Sequence, residues 1–241
     1  MLKEDKTKAA IIAGIFSLIG ACIGGVFLFL TTMVQKVDLP IKGLSGGGNP
    51  ATEQRTILFK DDFSDPMSGW DRIQEVDKVT DYVNGGYRIY VNDTQTDNWS
   101  NPGKYFKGDV SVEVDAAKLP GPDDNDFGLI CRYNILKGNY NFYYFLISSD
   151  GYAGIGRMKD GDRQLISGDE MQSTGVIKQG AATNHIRADC IGNSLTLYVN
   201  DVQVATVNDI SFSEGDVGLM AGAYEVPGVD ILFENYIVFK P

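Results

Sequence analysis

One histidine, three cysteines and two tryptophans stand in 241 residues, and these shortages exclude several chemistries at once. With His185 as the sole imidazole, a Ser-His-Asp or Cys-His arrangement has one base to be built on, and no Gly-x-Ser-x-Gly elbow is present to carry a nucleophile. There is no Cys-x-x-Cys pair, no histidine-rich stretch and no Walker-type phosphate loop; Gly154-Ile155-Gly156 lacks the third glycine and the strand-to-helix setting of a dinucleotide site. Basic residues are also scarce, 21 against 32 acidic ones, for a net charge of −11. Phosphate backbones need a basic footprint, so nucleic acid is not an expected partner.

What charge there is falls unevenly. Residues 1–56 hold six basic and four acidic groups, whereas residues 57–241 hold 15 and 28. From 9 to 35 there are 27 consecutive uncharged residues, AAIIAGIFSLIGACIGGVFLFLTTMVQ, between Lys8 and Lys36. About 20 apolar helical residues cross a bilayer, and a cleavable signal has a core of only about 7 to 15, so residues 9–35 are expected to form an uncleaved transmembrane helix. The competing reading is a lipoprotein signal ending at Cys22, against which stands the apolar continuation IGGVFLFLTTMV. Lys3, Lys6 and Lys8 precede the span and Lys36 and Lys42 follow it, a slight positive-inside bias that, with the shortness of residues 1–8, leads one to expect these in the cytoplasm and the C-terminal part outside a cell membrane crossed once. Gly20-xxx-Gly24 and Ala21-xxx-Gly25 have the small-residue spacing of helices that pair, pointing to a homodimer through the span. Residues 36–56 carry Pro40, Gly46 to Gly48 and Pro50 without amphipathic period, and read as a flexible linker with an r.m.s. span of roughly 25 Å.

From residue 57 onward the pattern is all-β. Short runs of Val, Ile, Tyr, Phe and Thr recur between turns such as Asn84-Gly85, Asp150-Gly151 and Asp160-Gly161. Strands are expected at 57–59, 87–91, 110–116, 127–133, 141–148, 153–158, 164–167, 185–190, 194–199, 203–207, 217–221 and 230–239. A dozen strands exceed an immunoglobulin-type sandwich and suit a two-sheet jelly-roll. Alternation puts Val110, Val112, Val114 and Ala116 on an inner face, with Ser111, Glu113 and Asp115 wet. By the same parity Phe127, Leu129, Cys131 and Tyr133 point inward opposite Arg132, and Arg187 and Asp189 point outward. The run from Tyr140 to Ile147 is apolar on both faces, as a central strand would be.

These segments resemble concanavalin A-like lectin/glucanase domains, in their laminin G-like, 3-keto-disaccharide-hydrolase-like branch. The resemblance spans residues 57–241 and is carried most specifically by Ser194 to Asp201, SLTLYVND, and Gly215 to Leu219, GDVGL. It implies a jelly-roll of two sheets and a carbohydrate ligand. Glycosidases of this fold are similar in carrying a Glu-x-Asp-x-x-Glu strand; here Glu113-Val114-Asp115-Ala116-Ala117-Lys118 replaces the second acid with lysine, which removes half of a two-carboxylate mechanism.

A binding module without catalysis is therefore expected, with a glycoside hydrolase and a structural or adhesion subunit for a protein partner as the alternatives. The charged residues Glu113, Asp115, Arg132, Arg187 and Asp189, all predicted on wet faces, with Tyr143 as a stacking ring, are the candidate sugar ligands; cross-strand ion pairing is the plainer alternative for the charged ones. Trp70, Trp99 and Tyr105 are further candidate platforms. Asp123, Asp124 and Asp126 on an acidic loop are candidate Ca²⁺ ligands, an acidic solvated turn being the plainer alternative. Cys131 and Cys190 fall on apolar faces, where a disulfide closing about 60 residues and two separate buried thiols are both open.

Overall fold

A computed structural model describes residues 55–241, and the expected anchor at 9–35 and nearly all of the linker lie outside these. Among the described residues there are sixteen strands and no helix. In chain order they are β1 (Thr56–Asp61), β2 (Ile73–Gln74), β3 (Lys78–Val83), β4 (Gly86–Val91), β5 (Thr96–Ser100), β6 (Val110–Lys118), β7 (Asn125–Leu136) and β8 (Asn139–Ile147). There follow β9 (Tyr152–Lys159), β10 (Asp162–Leu165), β11 (Gln172–Ser173), β12 (Thr183–Ile191), β13 (Ser194–Val199), β14 (Val202–Asn208), β15 (Asp216–Ala223) and β16 (Val229–Lys240).

One sheet of nine strands runs β14-β13-β12-β6-β16-β4-β3-β2, with β1 added to β16; the other, of seven, runs β10-β9-β8-β7-β15-β5, with β11 added to β9. Every pairing is antiparallel, and the chain alternates between the sheets, so a jelly-roll sandwich results. Tight hairpins at Asn84-Gly85, Lys137-Gly138 and Asp160-Gly161 have both residues at positive φ, the conformation a two-residue hairpin demands.

Alternation decides what fills the interior. Val110, Val112, Val114 and Ala116 of β6 and Ile186, Ala188 and Cys190 of β12 meet Phe127, Leu129, Phe145 and Leu219 of the opposite sheet, all buried. The Val, Ile, Leu and Phe side chains among them contribute about 1.5–3 kcal/mol each when fully buried. β8 is central between β7 and β9, and it needs apolar residues on both faces because a second buried layer covers the outside of the seven-stranded sheet. That layer comprises Ile130, Phe142, Tyr144, Leu146, Met158 and Met220, with Trp99, Tyr133, Leu165 and Met171 packed over it.

The simple alternation fails at one point. Arg132 sits at φ 55°, and the register of β7 shifts there against β8. A bulge inserts one residue and exchanges the faces beyond it, so Tyr133 joins the outer layer instead of the interior. Cys131, just before the bulge, is bonded to Cys190 of β12 and ties the two sheets together. Both sheets, both apolar layers and the disulfide lie within the compact unit Thr52–Pro241, so this part contains what it needs to fold by itself.

Candidate functional site: a groove on the seven-stranded sheet

An open groove of about 1050 Å³ lies on the outer face of the seven-stranded sheet. Its floor is Tyr144, Leu146 and Gly154 of β8 and β9; Arg163 and Leu165 of β10 and Met171 form one wall, and Tyr224, Glu225 and Asp124 the other. The groove exists because glycine recurs where strands present that face. Gly156 of β9 pairs with Tyr144, and a Cβ there would collide with the tyrosine ring, so the ring lies across the neighbouring strand. Gly222 of β15 stands between Asp97 of β5 and Asp126 of β7, and both carboxylates occupy the space its side chain would fill.

Arg163 joins this pair. Its guanidinium donates to Asp97 Oδ1 at 3.1 Å and to Asp126 Oδ2, and it lies 5.2 Å from the centre of the Tyr144 ring and 5.8 Å from that of Tyr224. The Tyr224 hydroxyl donates to the same Asp126 oxygen at 2.8 Å. Asp126 is fully buried, and its Oδ1 has no partner among the described residues. Burial, and next the Asp126 charge beside it, push the Asp97 carboxyl well above the ordinary range, with Arg163 only partly offsetting them. Burial and then the Asp126 carboxylate likewise raise the Tyr224 phenol. For Arg163, burial works against the charge, but the two aspartates outweigh it and hold the guanidinium firmly protonated. On the same face, farther along, Trp99 packs edge-on to Tyr140 with ring centres 5.0 Å apart, and Tyr140 is 42 % exposed.

None of the six expected sugar ligands lines this groove. Glu113, Asp115, Arg187 and Asp189 do come together, on the outer face of the other sheet, and there they are engaged by neighbouring protein side chains. His185 Nδ1 lies 2.8 Å from Asp115 and Nε2 3.7 Å from Glu113, Arg55 is paired with Glu113, and Asn235 donates to Asp115 at 2.8 Å. Arg187 stacks on Tyr198 with its guanidinium 3.7 Å from the ring centre and reaches Asp189 at 3.4 Å. The Glu113 carboxylate, opposed by burial, and then Asp115 raise His185 to about 9. Burial would raise Glu113, but His185 and Arg55 outweigh it and bring it down to about 2.

The wet face expected for Arg132 is corrected by the structure, and the Tyr143 ring is not placed to stack on a ligand. The bulge turns Arg132 inward, 2 % exposed, where it donates to the Phe212 and Cys190 carbonyls at 2.8 and 3.2 Å. Tyr143 is opposite Cys131 and fully buried; its hydroxyl donates to Asp209 at 2.6 Å, and burial, then that bond, push its pKa up to about 12. Trp70 is also interior, against Phe63 and Tyr236. Of the four candidate platforms, Trp99 lies on the groove's face and Tyr105 is exposed elsewhere.

The acidic loop does not gather its carboxylates. Asp123 accepts from Lys118 Nζ at 2.5 Å, Asp124 from the Glu225 amide at 2.9 Å, and Asp126 points to Arg163. Among the described residues no three His, Cys, Asp or Glu side chains converge as metal ligands would. Lys118, at the place of the missing acid in the glucanase-type strand, is a buried ammonium bound to Gly121 O and Asp123.

Asp97, Arg163 and Tyr224 escape a reading by local pattern because their partners are remote in sequence, Arg163 and Asp97 being 66 residues apart. The usable signal is glycine recurring on one face of otherwise apolar strands, at 154 and 156, then at 218 and 222.

No known family profile and no curated protein matches this sequence. Solved structures do match in shape. The carbohydrate binding module CBM66 from Bacillus subtilis is 18% identical over 71% of this chain and 96% of its own length, with a TM-score of 0.57. A Bacillus subtilis protein of unknown function with a galectin-like fold is 8% identical over 76% of this chain and 96% of its own, at 0.56. Bacillus licheniformis β-glucanase is 11% identical over 76% of this chain and 97% of its own, at 0.55. Identities this low speak to fold alone. Residues 55–241 thus form a concanavalin A-like jelly-roll, the fold shared by a carbohydrate-binding module, a galectin-like protein and a β-glucanase.

Proposed function

We propose that this chain is a non-catalytic binding module for carbohydrate, in particular polysaccharide of the cell envelope, displayed outside the cell from a single membrane span at residues 9–35. The observation that carries it is the groove on the seven-stranded sheet. Arg163 is held rigid by Asp97 and Asp126 with part of its side chain still open to solvent, and Trp99 and Tyr140 offer ring faces farther along. Fixed charged donors beside aromatic rings suit sugar hydroxyls and sugar faces respectively. The shared fold of a carbohydrate-binding module supports the same reading.

Burial stands against catalysis. Cleaving a glycosidic bond takes two carboxyl groups at the bond. Asp126 is fully buried beneath Arg163 and Tyr224, out of reach of a substrate, and Glu113 and Asp115 lie on the other sheet. One observation favours the second reading, a glycoside hydrolase: the raised Asp97 carboxyl, since a retained proton is what a general acid needs.

The deciding experiment screens residues 52–241 against a broad panel of glycans and polysaccharides, with calcium and with chelator. Binding that falls on Arg163→Ala and on Tyr140→Ala supports the module. Release of reducing ends that stops with Asp97→Asn moves the chain to the hydrolases. Silence across the panel leaves the structural or adhesion subunit as the better reading.

A further inference from the structure

Exposed apolar side chains are distributed unequally between the two ends of the sandwich. Strand directions bring the start of β1, the end of β16, the β5–β6 loop, the β7–β8 and β12–β13 hairpins and the β14–β15 loop to one end. Leu58 (43 % exposed), Tyr105 (55 %), Ile135 (56 %), Leu136 (55 %), Ile191 (40 %) and Ile210 (81 %) are all on these segments. Leu58, Tyr105 and Ile191 border one hollow of about 660 Å³ together with Lys107 and Lys240. Single exposed apolar residues are ordinary, and Val76, Tyr152, Val202 and Val226 are such residues at the other end, but the denser set here, which includes a hairpin tip and a hollow, marks a surface that is covered by something. Cations accompany them: apart from Lys104, which lies over the Phe59 ring, Lys107, Lys137, Lys159 and Lys240 fall at this end, with Asp109 in the hollow and Asp160 and Asp162 at the turn after Lys159.

The path of the chain names the occupant. β1 begins at Thr56 at this same end, 20 residues after the uncharged run of residues 9–35. We infer that this end of the sandwich rests on the bilayer surface, with the Ile135-Leu136 hairpin tip and Ile210 entering the headgroup layer and the four lysines meeting anionic lipid phosphate. Apolar tips with lysines beside them are the composition of a surface that lies on a membrane without crossing it. Tethering lets contacts too weak for a free protein hold the domain down. The groove opens toward the other end, where Asp124, Tyr152 and Glu225 stand, so this placement turns it away from the lipid. The inference rests on residues 9–35 being a membrane anchor.

The test uses the full chain carrying Cys22→Ser, reconstituted in phosphatidylcholine/phosphatidylglycerol vesicles, with an environment-sensitive dye on Leu136→Cys or, as the control, on Val76→Cys, which is 93 % exposed at the opposite end. Headgroup-level spin-labelled lipid should quench the dye at 136 several-fold more than the dye at 76, and Leu58→Asp with Ile210→Asp should remove most of the difference. Equal quenching at both positions in a chain that resists carbonate extraction overturns the inference and leaves the anchor standing. Extraction by carbonate fails the anchor reading, and this inference with it. A dimer of residues 52–241 that Leu136→Asp abolishes also overturns it, assigning the surface to a second copy.

Discussion

Arg163 of β10 and Asp126 of β7 belong to strands separated by β8 and β9, yet the guanidinium binds the carboxylate across the face of the sheet. Nothing tall stands between them, because β9 offers Gly156 and Tyr144 lies across it. Replacing Arg163 with Met leaves Asp126 buried with only the Tyr224 hydroxyl. Removing one partner of a buried pair in this partly open setting is expected to cost about 2–4 kcal/mol. Urea midpoints would read the loss, and Asp126→Asn added to Arg163→Met should return part of it. A double variant no more stable than the single one would contradict this account.

Gly222 makes the opposite prediction, that adding atoms is as harmful as removing them. A methyl group at this position enters the space held by the Asp97 and Asp126 carboxylates. Gly222→Ala should cost about 1–3 kcal/mol through overpacking. Asp97→Ala in the same chain should recover much of that by vacating the space. An unchanged melting temperature for Gly222→Ala would mean that the carboxylates move aside freely.

The His185 network on the nine-stranded sheet predicts a pH dependence with a definite sign. The imidazole is raised from 6.5 to about 9 in the fold, so its contribution is complete below pH 6.5 and disappears as pH rises through 9. Glu113 is lowered from 4.5 to about 2, so its contribution is present above pH 4.5 and fades as pH falls toward 2. The stability difference between wild type and His185→Gln, measured by urea unfolding, should therefore shrink steadily from pH 6 to pH 10 (chosen to bracket that range). A difference that is flat or grows with pH would sink this assignment.

The Cys131–Cys190 bond closes 59 residues and joins one sheet to the other. The chain-entropy model puts its contribution at about 4 kcal/mol. Reduction, or the Cys131→Ala, Cys190→Ala pair, should lower the urea midpoint accordingly, and proteolysis should then begin near Arg132, whose guanidinium holds the Cys190 carbonyl. If reduction leaves the midpoint in place, the bond adds nothing to the packing around it.

Legibility in the sequence followed the strength of the two-residue period. β6 and β12 alternate so regularly that their inner residues could be named beforehand, and those residues are the interior. β3 (KVTDYV) and β5 (TDNWS) are too polar to stand out, yet β5 carries Asp97 and Trp99 to the groove's face. β8 is aromatic on both faces, and only the register against Cys131 shows that the Tyr143 ring is inside.

By itself, then, the sequence determined the class of fold, the inner residues of the regular strands and the contrast between an uncharged N-terminal run and an acidic β region, because each is written in local periodicity or composition. Tertiary structure decided the site. A bulge at Arg132 reversed a face, glycines on β9 and β15 cleared a floor, and Asp97, Asp126, Arg163 and Tyr224 met from β5, β7, β10 and the end of β15. Those encounters depend on which strands become neighbours and in what register, and pairing between remote segments leaves no trace in the spacing of either one.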